Sequence, residues 1–309
     1  MPQAEHRVVG PVTAHSISVE ALHHLASARS GKVLAVGREA IYVALDGFVL
    51  AVTGRAVQRM PNGISLIVGP HLPLGPVAGS PARLSSGSML LGRLRVDWDA
   101  QAPRTWDPSV PVWSADVPTE RLRRRGAQLL LSVLGLPQQA KWSHIASELR
   151  KSLGIAEVAA GREGIELLLR AVAERDATLA RKSSEILIGL GSGLTPEGDD
   201  LLAAAAVATR AVAPAVGFSE VGHWVSSLIP QDHGSRTNRV SSCLLELAAR
   251  GCTLEPVARV LDPDSTEAVW RSALDRLIDV GHSTGQAYAC CLALTVFLLA
   301  GNVGSDTWG

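Results

Sequence analysis

Two adjacent acids, Asp199 and Asp200, follow a run of spaced glycines in the stretch Gly189-Leu190-Gly191-Ser192-Gly193-Leu194-Thr195-Pro196-Glu197-Gly198-Asp199-Asp200. Paired carboxylates of this kind accept amide protons or hold a Mg²⁺ through oxygen ligands, which makes both candidate catalytic groups. Gly191 and Gly193 admit backbone conformations closed to other residues and let a second molecule approach the main chain. With Thr195 as N-cap and Pro196 at the first helical position, the stretch reads as a loop on a helix N-terminus. Free N–H groups and the helix dipole favour an anion there, so Gly191, Ser192, Gly193 and Thr195 are candidate substrate-binding residues. The two acids would repel a bare phosphate, so a Mg²⁺-bridged ligand or an amide- or hydroxyl-bearing substrate fits better. If they bind nothing, they serve only to complement the dipole. The phosphate-cradling Gly-Lys-Ser/Thr is absent, as is Gly-x-Gly-x-x-Gly in a βαβ unit.

Two more polar stretches precede apolar helices. His233 to Ser242 contains Arg236, Thr237, Asn238 and Arg239; Gly281 to Gln286 contains His282, Ser283 and Thr284. The arginines can clamp a carboxylate or phosphate in bidentate fashion, and the hydroxyls and Asn238 can hydrogen-bond a substrate. His233 and His282 stand beside the candidate loops and are candidate general bases. The same residues can be plain helix caps. If the three helix starts converge, they form a small polar pocket in an otherwise apolar domain, the usual form of a small-molecule site. His-x-x-x-His and His-Glu-x-x-His are absent, and Gly191-Ser192-Gly193 lacks the flanks of a nucleophile elbow.

The elements that must position these groups divide the chain in two. Residues 1–115 read as β-rich, with short Val/Ile/Leu runs at Lys32–Val36, Ala40–Leu45, Phe48–Thr53, Ile64–Val68 and Met89–Val96. Asp46-Gly47 and Asn62-Gly63 are hairpin signals, and the spacing predicts a sandwich or barrel rather than βαβ units. Asp97 to Pro118, carrying Trp98, Trp106 and Trp113, reads as a linker pinned by its aromatics. Residues 116–309 read as all-helical, with helices expected at Leu122–Leu134, Gln138–Leu153, Gly164–Ala180 and Pro196–Val212, and five more by Ala300. The overall class is α+β. Arg121, Arg123, Arg124 and Arg125 stand at the start of a helix, the wrong end for the dipole, and are expected to face solvent.

Composition narrows the partners. Twenty-nine basic residues balance 29 acidic ones, which argues against nucleic acid and acidic membranes. The apolar run 287–300 is too short for a bilayer and is expected to form a buried core helix. The first residues lack a secretory-type apolar segment, so a cytoplasmic protein is expected. Cys243, Cys252, Cys290 and Cys291 lack Cys-x-x-Cys spacing and are expected to be reduced and buried.

The segment Gly189 to Asp200 resembles the signature Gly-x-Gly-x-Gly-Leu-Thr-Pro-x-Gly-Asp-Asp of a bacterial family once labelled a domain of unknown function, whose best-known member is a subunit of the oxamate carbamoyltransferase of allantoin degradation. Thr237 to Gly251 and Gly281 to Gln286 sit where that family has further polar helix starts, with Gln286 where the family pattern has an acid. The resemblance implies a carbamoyltransferase-like transferase subunit of nitrogen metabolism, moving a carbamoyl group between oxamate and phosphate (carbamoyl phosphate) alongside partner subunits. It implies a small anionic substrate, with Asp199 and Asp200 orienting the carbamoyl NH₂ or a Mg²⁺. The alternative is a non-catalytic small-anion-binding or assembly subunit of a multi-subunit enzyme.

Overall fold

The computed structural model describes residues 9–68, 72, 76–99 and 104–301, and the chain divides into two compact units, Met1–Pro108 and Ser109–Gly309. Residues 100–103 of the expected linker lie outside the described residues. The first unit runs β1 (Val9–Ser18), α1 (Val19–Ser27), β2 (Ser30–Val36), β3 (Ala40–Leu45), β4 (Phe48–Gly54), β5 (Gly63–Leu66), β6 (Pro81–Ser85), β7 (Ser88–Leu91), β8 (Leu94–Asp97) and the short β9 (Thr105–Trp106). Strands pair in the order β5-β4-β3-β2-β6-β7-β8-β1, and β1 pairs back onto β5, so eight strands close into a barrel. Closure removes the open edges a sandwich would leave. Ile41, Leu50, Ile64, Met89, Leu91 and Leu94 fill the interior, and β4 is buried along its whole length because both faces meet protein. β9 lies parallel to β1.

Asp46-Gly47 makes the expected two-residue hairpin, with Leu45 opposite Phe48 and Gly47 at φ 68°. Asn62-Gly63 does not, because β4 and β5 are parallel. Asn62 is fully buried there, and its Nδ2 donates to the Val49 carbonyl at 2.7 Å, so the side chain holds the connection. The expected strand Met89–Val96 breaks at Gly92-Arg93 into β7 and β8.

The second unit comprises α2 (Thr119–Leu134), α3 (Trp142–Ser152), a 3-10 turn (Gly154–Glu157), α4 (Ala159–Glu174), α5 (Ala177–Leu187), α6 (Glu197–Val212), α7 (Val221–Leu228), α8 (Arg239–Ala249), α9 (Glu255–Leu261), α10 (Glu267–Ile278) and α11 (Thr284–Leu299). The helix expected over Gly164–Ala180 is two helices: Arg175 adopts a left-handed φ of 55°, and Asp176 caps α5 by accepting from Thr178 N and Leu179 N. α6 and α11 form the centre and pack on each other. Ala203–Ala206 are all buried, and such small side chains let a neighbouring helix approach closely. α11 is buried on every face from Ala287 to Leu299, as a core helix. Among the described residues no helix is long and apolar enough to cross a membrane.

Arg125 departs from the expected solvent-facing arginine cluster. Its Nη1 donates to Val260 O at 2.8 Å and its Nη2 to Ser265 O at 3.1 Å, and its guanidinium lies 5.7 Å from the Trp113 ring and 5.2 Å from that of Trp270. Burial pushes its pKa down to about 10, so it keeps its charge at neutral pH as a structural clamp. Trp113 is buried in this unit and donates its ring N–H to Leu261 O at 2.7 Å. All four cysteines are free and buried; burial pushes the Cys290 and Cys291 thiols up to about 12, which leaves them unreactive.

Candidate functional site

The loop between α5 and α6 folds by close backbone contact. A Cβ on Gly189 would lie 2.3 Å from the Arg236 carbonyl oxygen, and one on Gly198 would lie 2.0 Å from that of Leu187. Only glycine fits where main chains pass this closely. Gly193 is different: at φ 91° it has nothing within 4 Å of an added Cβ, and residues 191–194 are exposed. α6 begins one residue later than expected. Pro196 occupies the N-cap position, and the Thr195 side chain makes no cap bond. Its hydroxyl instead bonds the Thr284 hydroxyl at 2.7 Å, which ties the loop to the start of α11.

Asp199 supplies the second tie. It is 1% exposed; its Oδ1 accepts from Gly189 N at 2.8 Å, and its Oδ2 accepts from Thr237 Oγ1 at 2.5 Å and Ser241 Oγ at 2.6 Å. Charge-assisted bonds of this kind are the strong class, and here they pin the loop to the first turn of α8. Asn238 caps that helix, accepting from Val240 N and Ser241 N. The starts of α6, α8 and α11 therefore converge.

Asp200 sits at the centre of this convergence with a different status. It is 4% exposed, and its Oδ2 is buried without a hydrogen-bond partner. Burial raises its pKa well above the carboxylate range; the Thr284 hydroxyl opposes this, and the nearby Asp199 and Glu197 charges reinforce it. Burial is the largest of these influences, and it favours the neutral acid. The Tyr288 phenol, buried beside it, is also held in its neutral form. Two adjacent acids thus behave oppositely: Asp199 has three donors, and Asp200 has lost water without gaining a partner for Oδ2.

Several expected site residues are engaged in the fold. His233 is buried, with Nδ1 2.8 Å from Pro230 O and Nε2 3.1 Å from Ser242 O, so its ring is held between two backbone acceptors in the turn before α8. Arg236 does not present a free fork: its Nη2 donates to Ser184 O and Glu185 O and so closes the C-terminal end of α5. Arg239, His282 and Ser192 are exposed, and Ser283 stands at the N-cap position of α11 without a side-chain cap bond. A divalent ion fits Asp199 and Asp200 poorly, since Asp199 has both oxygens committed and burial favours protonated Asp200. Among the described residues no group of three or more His, Cys, Asp or Glu is placed to hold a metal.

Sequence reasoning does not reach Glu197 or Ser241. The Glu197 carboxylate accepts from Gly154 N at 3.1 Å and Ile155 N at 2.8 Å, capping the 3-10 turn from a distant part of the chain. Nothing in the local pattern announces such a partner. Ser241 carries one readable signal, three residues past the Asn238 cap on the face that turns toward a helix start.

No curated protein and no solved structure matches the chain. A family model does, over residues 187–296, and that span contains the starts of α6, α8 and α11 with every bond that joins them. The family is described as oxamate carbamoyltransferase subunit AllH, and residues 187–296 of the chain are similar to it.

Proposed function

We propose that this chain is a carbamoyltransferase subunit whose three converging helix starts bind carbamoyl phosphate and hold it for transfer of the carbamoyl group to oxamate. The observation that carries the reading is the unpartnered Oδ2 of Asp200, buried where three helix N-termini meet. Such a group costs stability unless something outside the fold satisfies it. A protonated Asp200 donates to the carbamoyl oxygen or accepts from its NH₂, and in the neutral form it does not repel the phosphate. The Asp199 charge is met by three donors, which removes the other obstacle. Helix N-termini then face the charge that builds on the leaving phosphate as the oxamate nitrogen attacks the carbamoyl carbon and the carbon–oxygen bond to phosphate breaks. The exposed Gly191–Leu194 stretch lies at the edge of this cluster and offers main-chain N–H groups.

A second reading, a non-catalytic small-anion-binding or assembly subunit, draws on the exposure of Leu194 in the loop, an apolar side chain available to a partner subunit. Isotope-labelled carbamoyl phosphate incubated with oxamate and the purified chain separates the two. Appearance of N-carbamoylated oxamate supports an autonomous transferase. Saturable binding without product supports a subunit whose chemistry is completed by a partner. Absence of both, from a folded chain, contradicts the proposal.

A further inference from the structure

The barrel unit carries a concentration of positive charge that takes no part in the helix-start cluster. β1 bulges at His15: Ala14 pairs with Leu66 and Ser16 with Ser65, which leaves His15 as the extra residue. A bulge interrupts the ladder's alternation and re-aims the side chain it carries. The neighbours follow from the register. Leu66 pairs on its other side with Gly54 of β4, so Arg55 leaves the sheet beside the bulge, and Arg59 lies in the same β4–β5 connection. Along the opposite edge of β1, Ile17 pairs with Thr105 and its N–H donates to the Arg104 carbonyl at 2.8 Å, which sets Arg104 alongside.

The register thus sets Arg55 and Arg104 by the two edges of β1 near His15, with Arg59 in the adjoining connection. Burial first, then the charges of Arg55, Arg59 and Arg104, lower the His15 pKa below its ordinary value. Among the described residues no carboxylate forms an ion pair with any of the three. Like charges gathered without a counter-charge oppose folding, and a bound anion turns that repulsion into attraction. Guanidinium forks match phosphate oxygens in geometry, and a neutral imidazole adds a ring N–H donor. Three cations and a fourth donor exceed what a single carboxylate can accept, whereas a phosphate group offers three outer oxygens and close to two charges. A nucleic-acid strand calls for a basic stripe with stacking aromatics, and the chain as a whole is electrically neutral.

We propose that the His15 corner of the barrel is a second binding site, for the phosphate group of a small molecule, with Arg55, Arg59 and Arg104 on its oxygens and His15 donating from its ring. The site is independent of the helix-start reading. The test follows the His15 ring resonances of the full chain by NMR, assigned with His15→Gln, during titration with inorganic phosphate and with glycerol phosphate, against chloride at equal ionic strength. The expected result is a saturable shift with the phosphates, unchanged in Asp200→Leu, with affinity reduced at least about tenfold in Arg104→Ala and further in Arg55→Ala/Arg59→Ala. Tighter binding of the ester assigns the site to a phosphorylated metabolite, and equal binding assigns it to free phosphate. Arg55→Lys/Arg59→Lys keeps the charges without the forks and is expected to fall between parent and alanine variant. The proposal is overturned if the ring does not respond, if chloride produces the same shift, if the folded arginine variants bind as the parent does, or if an oligonucleotide binds in preference to both phosphates.

Discussion

The helix-start cluster and the His15 corner gather polar groups in opposite ways. In the first, Asp199, Thr237, Ser241, Thr195, Thr284 and Glu197 are hydrogen-bonded to protein, and the main exception is one oxygen of Asp200. In the second, the charges of Arg55, Arg59 and Arg104 act on His15, and among the described residues no carboxylate forms an ion pair with any of the three. Two residues that look catalytic when read along the chain, Asp199 and His233, are in the first case held by contacts within the fold. The groups proposed to take ligands are the ones the fold leaves over, and a sequence motif alone does not separate the two kinds.

The largest effect expected from breaking this contrast lies at Asp199. Asp199→Ala orphans Gly189 N, the buried Ser241 hydroxyl and the half-buried Thr237 hydroxyl, and is expected to cost about 3–5 kcal/mol in urea unfolding. An effect under about 1 kcal/mol would show that its bonds are not structural. Gly198→Ala places a methyl against the Leu187 carbonyl and is expected to cost about 1–3 kcal/mol by the same assay, through displacement of α6 from α5.

Asp200 sharpens the comparison through pH. Its folded pKa is raised, so its protonation contributes stability that is fully present below the unfolded carboxylate value and is lost as pH rises toward the folded value. Asp200→Asn removes that dependence. The stability of the variant relative to the parent is expected to grow from pH 4 upward in parallel thermal scans, and a constant difference would contradict the burial argument. The smallest effect belongs to the barrel: at low salt and without phosphate, Arg59→Gln is expected to stabilise the chain by about 0.5 kcal/mol, and salt should erase the gain.

Much of this architecture is legible in the sequence, and the exceptions share a cause. Asp46-Gly47 reads correctly because a two-residue turn encodes itself locally, whereas Asn62-Gly63 carries the same signal and is overruled by a parallel pairing set elsewhere in the barrel. The split at Arg175 escapes periodicity because a single left-handed residue leaves the apolar spacing intact on both sides. The three polar helix starts are visible as capping chemistry, but their convergence depends on pairs such as Thr195 with Thr284 that lie far apart in the chain. The difference between Asp199 and Asp200 is invisible in the sequence, since adjacent positions on a helix turn point about 100° apart and meet different neighbours. Arg125 and its two tryptophans show the same limit, because only the folded chain reveals that an arginine beside three others is the buried one.

The most direct test is calorimetric titration of the folded chain with carbamoyl phosphate, in the parent and in Asp200→Leu. Replacing a buried unpartnered acid with an apolar side chain of similar size is expected to leave the fold as stable as the parent or more so, and to weaken carbamoyl phosphate binding by at least about tenfold. A folded Asp200→Leu chain that binds carbamoyl phosphate as tightly as the parent would contradict the assignment of the converging helix starts as the substrate site.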